Sequence, residues 1–167
     1  MKRVSKKHKK ASLRQKQAGF SPFLIIMGVV LLASVGLRVY KAVHTGIIYD
    51  EVYTILNFGQ HFHDAITLYK NPNNNHILNS ILINLDRVLF AGHESFYRYH
   101  TIFFGTLYCL SVTYLTWTLI TDRLLRIAFA ALLTLQWFVF DLSYLARGYS
   151  IALAAIFGGI ALLVWLL

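Results

Sequence analysis

The sequence alternates between long apolar runs and shorter segments that hold most of its polar residues. Three uncharged runs cover residues 20–37, 101–120 and 150–167. A helix of about 18 to 20 such residues is long enough to cross the hydrocarbon core of a bilayer. A fourth run, 124–140, carries only Arg126, near one end where the side chain can reach the interface. The pattern predicts an all-α, polytopic membrane protein with about four transmembrane helices.

The run 76–90 differs from these four because it is shorter and more polar. Its polar residues include Asn79, Asn84, Asp86 and Arg87. Its apolar residues recur at helical spacing along one face, which is typical of a helix lying in the membrane interface. We therefore expect interfacial juxtamembrane helices in a first outer loop that covers residues 38–100.

Composition supports a membrane protein, since 57% of the residues are apolar and only 14% are charged. The net charge of +9 comes from the N-terminus, where residues 1–16 hold eight of the sixteen Lys and Arg. A nucleic-acid-binding arm would show interleaved aromatic residues and a folded module behind it, and this segment is followed instead by an apolar run without such interleaving. A cleaved signal peptide would show a small-residue cleavage site, and none is recognisable here. We therefore interpret residues 1–19 as a basic cytoplasmic tail that contacts membrane lipid rather than nucleic acid.

The same charges predict the topology of a multi-pass protein in the plasma or inner membrane. With the N-terminus cytoplasmic and 76–90 in the interface, the short turn holding Arg123 and Arg126 returns to the cytoplasm, as the positive-inside rule favours. Arg38 and Lys41, at the outer end of the first span, oppose this orientation but are outnumbered by the tail. The remaining polar chemistry then lies on the extracytoplasmic side.

Asp50 and Glu51 follow the first span directly, in "GIIYDEVYTIL". Successive helical residues point about 100° apart, so only one of the two can face a given pocket. Two acids in a first helical turn are favoured by the helix dipole and need no further role. Alternatively, one acts as a general base toward an acceptor hydroxyl, or both contribute to a metal site.

Other polar groups fall in the same outer region. The stretch "NPNNNH", residues 71–76, either caps the following helix or offers amides and an imidazole to a polar ligand. His61 and His63 are two residues apart, but spacing fixes no third ligand, so no metal site is predicted, although a divalent metal is not excluded. The single cysteine, Cys109, lies in an apolar run and is expected to be a packing residue.

Arg98 and Arg147 each stand at the outer mouth of an apolar run. Arginines there can snorkel to lipid headgroups. A planar guanidinium also suits a phosphate group. Together with the acidic pair, they suggest an anionic lipid substrate.

Four segments in this order resemble the bacterial GT-C glycosyltransferases, the membrane enzymes related to protein O-mannosyltransferases and aminoarabinose transferases. They read "YDEVYTILNF", "NNNHILNSIL", "ESFYRYHTIFFG" and "LSYLARGYSI". The resemblance covers residues 22 to 167. It departs from the family where many relatives read "HPPL" and this chain has "HILN". The family members are also much longer, so we expect this chain to be the N-terminal portion of such an enzyme.

The resemblance implies a polyprenyl-phosphate-linked sugar as donor substrate and transfer on the extracytoplasmic side, and it leaves the cofactor unknown. It implies catalytic roles for Asp50, as the base, and for its neighbour Glu51. The predicted substrate-binding residues are Asn74, Asn75, His76, Arg98, Arg147 and Tyr149. The alternative hypothesis is a non-catalytic membrane binding or assembly protein. A channel or transporter subunit fits less well, because ionisable groups are nearly absent from the middle of the spans.

Overall fold

The computed structural model describes residues 22–67, 76–90 and 94–167, and within these ranges the chain is helical with no strand. The helices are α1 (Pro22–His44), α2 (Tyr49–Phe58), α3 (Phe62–Thr67), α4 (Ile77–Phe90), a short 3-10 helix (Glu94–Arg98), α5 (Tyr99–Leu119), α6 (Arg123–Leu135), α7 (Trp137–Tyr144) and α8 (Tyr149–Leu166). The predicted all-α class is confirmed for these residues.

Three segments are long and apolar enough to cross a membrane: α1, α5 with the residues just before it, and α8. Helices α6 and α7 pass the same test only together, with a bend of 50° between them. The part of the chain that the structure describes therefore has three candidate spans, or four if the bent pair counts as one. The prediction of about four spans holds at this coarser level.

Helix α5 is the centre of the bundle and packs against α1, α6 and α8. Its buried residues Tyr108, Cys109 and Val112 form a core with Ala154 of α8. The Tyr108 hydroxyl donates to the Leu133 carbonyl at 2.6 Å, which fastens α6 to α5. Cys109 is fully buried, as expected of a packing residue.

Helix α1 continues to His44, so its last seven residues belong to the segment that the sequence analysis assigned to the outer loop. Arg38 is consequently inside the bundle rather than at a lipid surface, with only 1% of the residue exposed. Its Nε donates to Ser143 Oγ at 2.6 Å, and its Nη2 donates to the Thr134 carbonyl at 2.7 Å. Because carbonyls in the last turn of a helix lack an intrahelical partner, this guanidinium caps α6 where the helix breaks.

Helix α4 buries a largely polar face, with Asn79, Ser80, Asn84 and Asp86 around Ile83. Its outer face exposes Ile77, Leu78, Leu85, Val88, Leu89 and Phe90. Polar residues are buried and apolar residues exposed, the reverse of a helix on the surface of a soluble protein, and the exposed residues belong to the apolar face predicted from the sequence. The Asn84 amide donates to the Phe58 carbonyl at 2.8 Å and so ties α4 to the end of α2.

The segments after α1, before α5 and after α7 meet at one end of the bundle. Arg98 donates to the carbonyls of Ala42 and Thr45, at 2.9 and 2.7 Å. Thr101, in the first turn of α5, donates to the Tyr144 carbonyl at the end of α7. This end of the bundle holds most of the polar residues that the sequence analysis selected.

Candidate functional site

A partly exposed ion pair joins the beginning of α2 to the segment before α8. Arg147 Nη2 lies 2.7 Å from Asp50 Oδ2, and the two side chains are 29% and 39% exposed. Asp50 is in the first turn of α2, while Arg147 precedes α8 by two residues. The sequence predicted both residues, and the fold brings them into direct contact across 97 positions of the chain.

Two rings lie beside this pair. The Arg147 guanidinium carbon is 5.6 Å from the centre of the Tyr149 ring. The centres of the His76 and Tyr149 rings are 6.0 Å apart, and the ring planes are at 58° to each other.

Gly148 lies between Arg147 and Tyr149 and has a φ of 80°, where a residue with a side chain is strained. A Cβ there would also stand only 3.3 Å from Asn79 Cβ. The glycine thus lets the chain pass close to α4 and start α8.

Glu51 and Arg98 form a second ion pair that is almost fully buried, at 1% and 2% exposure. The pairing is bidentate, with Arg98 Nε donating to Glu51 Oε1 at 2.8 Å and Nη2 donating to Oε2. The remaining N–H groups of this guanidinium donate to backbone carbonyls of residues 42, 45 and 46. Every N–H of Arg98 is therefore engaged within the protein.

Glu51 also organises the backbone around it. Its Oε2 accepts from the Ile48 N–H at 3.1 Å, which closes the start of α2, as expected of an acid in a first turn. Its Oε1 accepts from the Ala146 N–H at 2.7 Å, in the segment between α7 and α8. A carboxylate held by these donors is arranged to fix structure rather than to take a proton from a substrate.

A chain of buried polar groups approaches Ala146 from the other side. Asn79 Nδ2 donates to the Ala146 carbonyl at 2.9 Å, and Asn79 Oδ1 faces His100 Nε2 at 2.9 Å. His100 Nδ1 lies 2.7 Å from Asp86 Oδ2, which also accepts from the His100 backbone N–H. Residues Asn79, Asp86 and His100 are each at most 5% exposed.

Six predicted site residues lie at this end of the bundle: Asp50, Glu51, His76, Arg98, Arg147 and Tyr149. The structure divides them into a partly exposed group around the Asp50–Arg147 pair and a buried pair, Glu51–Arg98. Asn74 and Asn75 fall outside the described residues. The chain Asp86–His100–Asn79 was not predicted as part of the site. Its signal was available, because Asn79, Ile83 and Asp86 recur at helical spacing opposite the apolar face of α4.

Within the described residues, no group of three His, Cys, Asp or Glu side chains is arranged to hold a metal ion. His63 pairs loosely with Asp64, at 3.7 Å, and is 79% exposed. The described side chains that stand partly exposed at this end of the bundle include the Asp50 carboxylate, the Arg147 guanidinium and the Tyr149 ring.

Comparison of the chain with protein-family models, curated proteins and solved structures found no match.

Proposed function

We propose that this protein takes part in glycosyl transfer from a polyprenyl-phosphate-linked sugar to an acceptor hydroxyl, as the resemblance to GT-C glycosyltransferases implies. The observation that carries the proposal is the Asp50–Arg147 ion pair. It places a carboxylate and a guanidinium side by side, both partly exposed, at one end of an apolar helical bundle. These two groups suit a reaction that removes a proton and releases an anionic phosphate.

In this reaction Asp50 accepts the proton of the acceptor hydroxyl as its oxygen attacks the anomeric carbon. A new carbon–oxygen bond forms while the bond from that carbon to the phosphate oxygen breaks. The bonding electrons leave with the polyprenyl phosphate, which gains negative charge. Arg147 stabilises that charge in the transition state. One direct displacement inverts the configuration of the sugar, and no oxidant or further reactant is needed.

The ion pair also gives the reaction an order. While Arg147 is bound to Asp50, the guanidinium occupies the Oδ2 side of the carboxylate that an acceptor hydroxyl would approach. The phosphate of the donor competes for the same guanidinium through charge-assisted hydrogen bonds. Donor binding therefore frees Asp50, and acceptor activation follows. His76 and Tyr149 flank the pair and border the donor sugar.

Only one acid of the Asp50–Glu51 pair is assigned to catalysis in this proposal. Glu51 and Arg98 are buried and bound to each other, so we assign them the support of the site instead of contact with substrate. The proposed membrane is the plasma or inner membrane, with the basic tail cytoplasmic and the Asp50–Arg147 pair on the extracytoplasmic side.

The test is transfer of a radiolabelled sugar from a polyprenyl-phosphate donor, measured in membranes that contain the protein. Asp50→Asn and Arg147→Gln should each abolish transfer without changing the amount of inserted protein. Asp122→Asn is a matched control, because Asp122 caps α6 at the opposite end of the bundle and asparagine caps about as well. Near-normal transfer by Asp50→Asn would remove the assignment of the base.

The second candidate is a protein that binds a lipid-linked phosphate or a partner without catalysing transfer. It is favoured by the surface of α8, which buries only Ser150, Ile151 and Ala154 and leaves most of its apolar length exposed. Lipid or another helix can pack there. This candidate predicts polyprenyl-phosphate binding that depends on Arg147, with no sugar transfer.

A further inference from the structure

Ala146, the residue before Arg147, has both of its backbone polar groups held by side chains from other helices. Its N–H donates to Glu51 of α2, and its carbonyl accepts from Asn79 of α4. We infer that Asn79 and His100 are positioning residues, which hold Arg147 in place by fixing the backbone of Ala146. The functional weight of this inference rests on the proposed function, in which Arg147 binds the donor phosphate.

The position needs such support because it lies in an irregular stretch. Helix α7 ends at Tyr144 and α8 begins at Tyr149, so no helical ladder runs through Ala146. The Arg147 N–H bonds back to the Leu145 carbonyl at 2.8 Å, which makes a tight turn around Ala146. The residue is fully buried. Buried backbone groups need hydrogen-bond partners, and for Ala146 these are the side chains of Glu51 and Asn79.

The direction of the Asn79 amide is set by the groups on either side of it. Its NH₂ must face the Ala146 carbonyl, since an oxygen there would meet another acceptor. Its Oδ1 then faces His100 Nε2, which must carry a proton in order to donate. Nδ1 faces a carboxylate oxygen of Asp86. His100 therefore lies between the Asp86 carboxylate and the Asn79 amide and links the two.

The expected consequence is specific to Arg147. Loss of the Asn79 amide leaves the Ala146 carbonyl buried without a donor, and the turn shifts to find another partner. Arg147 is the next residue, so its guanidinium moves away from Asp50. A displacement of about 1 Å is enough to impair a binding or catalytic group by a large factor.

The chain contains a close control for this experiment. Asn84 is also a buried asparagine of α4, and its amide also donates to a backbone carbonyl of another segment, Phe58. Asn84→Leu and Asn79→Leu therefore remove similar bonds from the same helix. Of the two substitutions, Asn79→Leu removes the bond to Ala146, the residue before Arg147, and Asn84→Leu leaves that bond in place.

The first readout does not depend on sugar transfer. The full chain in nanodiscs is treated with phenylglyoxal, an arginine-selective reagent, and modification is followed by peptide mass spectrometry. Arg147 should be modified about tenfold faster in Asn79→Leu than in Asn84→Leu, the factor that corresponds to one hydrogen bond of about 1.4 kcal/mol. Arg98 is buried and should stay unmodified in both variants. Its modification would report general unfolding.

His100 provides a second pair of variants, in case Asn79→Leu does not fold. His100→Leu should also speed modification of Arg147, because the Asn79 amide is then no longer oriented. His100→Gln should recover part of the protection, since its amide can donate to Asn79 Oδ1. Equal protection of Arg147 in the Asn84→Leu, Asn79→Leu and His100→Leu proteins would overturn the inference.

The second readout is binding of farnesyl phosphate to the same nanodiscs. Weaker binding by Asn79→Leu, with normal binding by Asn84→Leu, supports both the inference and the proposed function. If the unmodified protein does not bind farnesyl phosphate but Arg147 still becomes reactive in Asn79→Leu, the positioning role stands and the proposed function fails.

Discussion

Asp50 and Glu51 are adjacent residues with opposite surroundings. Because successive helical side chains point about 100° apart, the first turn of α2 directs Asp50 outward to Arg147 and Glu51 inward to Arg98. The outer pair is partly exposed and can exchange partners with a ligand. The inner pair is buried, and its hydrogen bonds join α2 to the segments before α5 and after α7. Asp50 is thus accessible to a ligand, and Glu51 holds together the segments around it.

This division predicts different effects of two matched substitutions on stability. Glu51→Gln leaves the buried Arg98 charge without a balanced partner, and loss of one member of a buried pair costs about 3–5 kcal/mol. Asp50→Asn removes a partly exposed pair, worth about 0–1 kcal/mol. Thermal unfolding in one detergent, monitored by circular dichroism, measures both. Equal loss of stability in the two variants would contradict the division.

Gly148 supports a second prediction at the residue scale. Its left-handed backbone costs a residue with a Cβ about 1–2 kcal/mol, and the added atom would press on Asn79. Gly148→Ala should therefore lower the unfolding temperature and weaken polyprenyl-phosphate binding. Gly28, in α1, has open space around it, so Gly28→Ala is the control. Unchanged phosphate binding by Gly148→Ala would show that the turn does not position Arg147.

Sequence reasoning selected the residues of both ion pairs but not the buried chain Asp86–His100–Asn79. The positions of Asp50, Arg147 and Tyr149 beside apolar runs marked them as candidates. The sequence does not show that Arg98 is buried and Arg147 partly exposed, since each residue stands next to the outer end of an apolar run. Burial separates them, and burial depends on which helices meet. The contact between Asn79 and Ala146 likewise joins positions that only the tertiary fold brings together.

Among the elements, the bent pair α6–α7 is the least regular. Neither proline nor glycine lies at the bend, so the sequence predicted one continuous run over 124–140. The break at Gln136 is accompanied by Arg38, which donates to the Thr134 carbonyl on one side and to Ser143 on the other. Irregular backbone at membrane depth persists only where protein groups satisfy it. The guanidinium of Arg38 meets that requirement.

Arg38→Leu should accordingly destabilise the bend. The substitution leaves buried acceptors unpaired, at a cost of about 1–3 kcal/mol for each. We expect a clear loss of thermal stability in detergent, and faster limited proteolysis near Gln136. Leu37→Ala, at an exposed position of the same helix, is the control and should change little. Normal stability of Arg38→Leu would mean that the bend does not need the guanidinium.

At the scale of the whole molecule, the apolar runs predicted the helical class and the approximate number of spans. They also predicted that the acidic pair and the two outer arginines share one end of the bundle. Helix α4 also lies at this end, with its buried face bound to Ala146 and its apolar face exposed and open to lipid. The proposal that this end faces the extracytoplasmic side rests on the positive charge of residues 1–19.

The proposed topology can be tested with single cysteines in a Cys109→Ser background. A cysteine replacing His61, which is exposed near the site, should react with a membrane-impermeant maleimide in intact spheroplasts. A cysteine replacing Arg123, exposed at the opposite end, should react only after lysis. The reverse pattern would place the Asp50–Arg147 pair in the cytoplasm.

The most direct test of the central claim is sugar transfer by the unmodified protein and by Asp50→Asn, in membranes supplied with labelled polyprenyl-phosphate sugar. General-base catalysis contributes about 10²–10⁴-fold, so the variant should lose at least about a hundredfold in rate while inserting normally. Transfer at equal rates would show that Asp50 is not the base. Absence of transfer by the unmodified protein, with the phosphate donor bound, would favour the non-catalytic binding role.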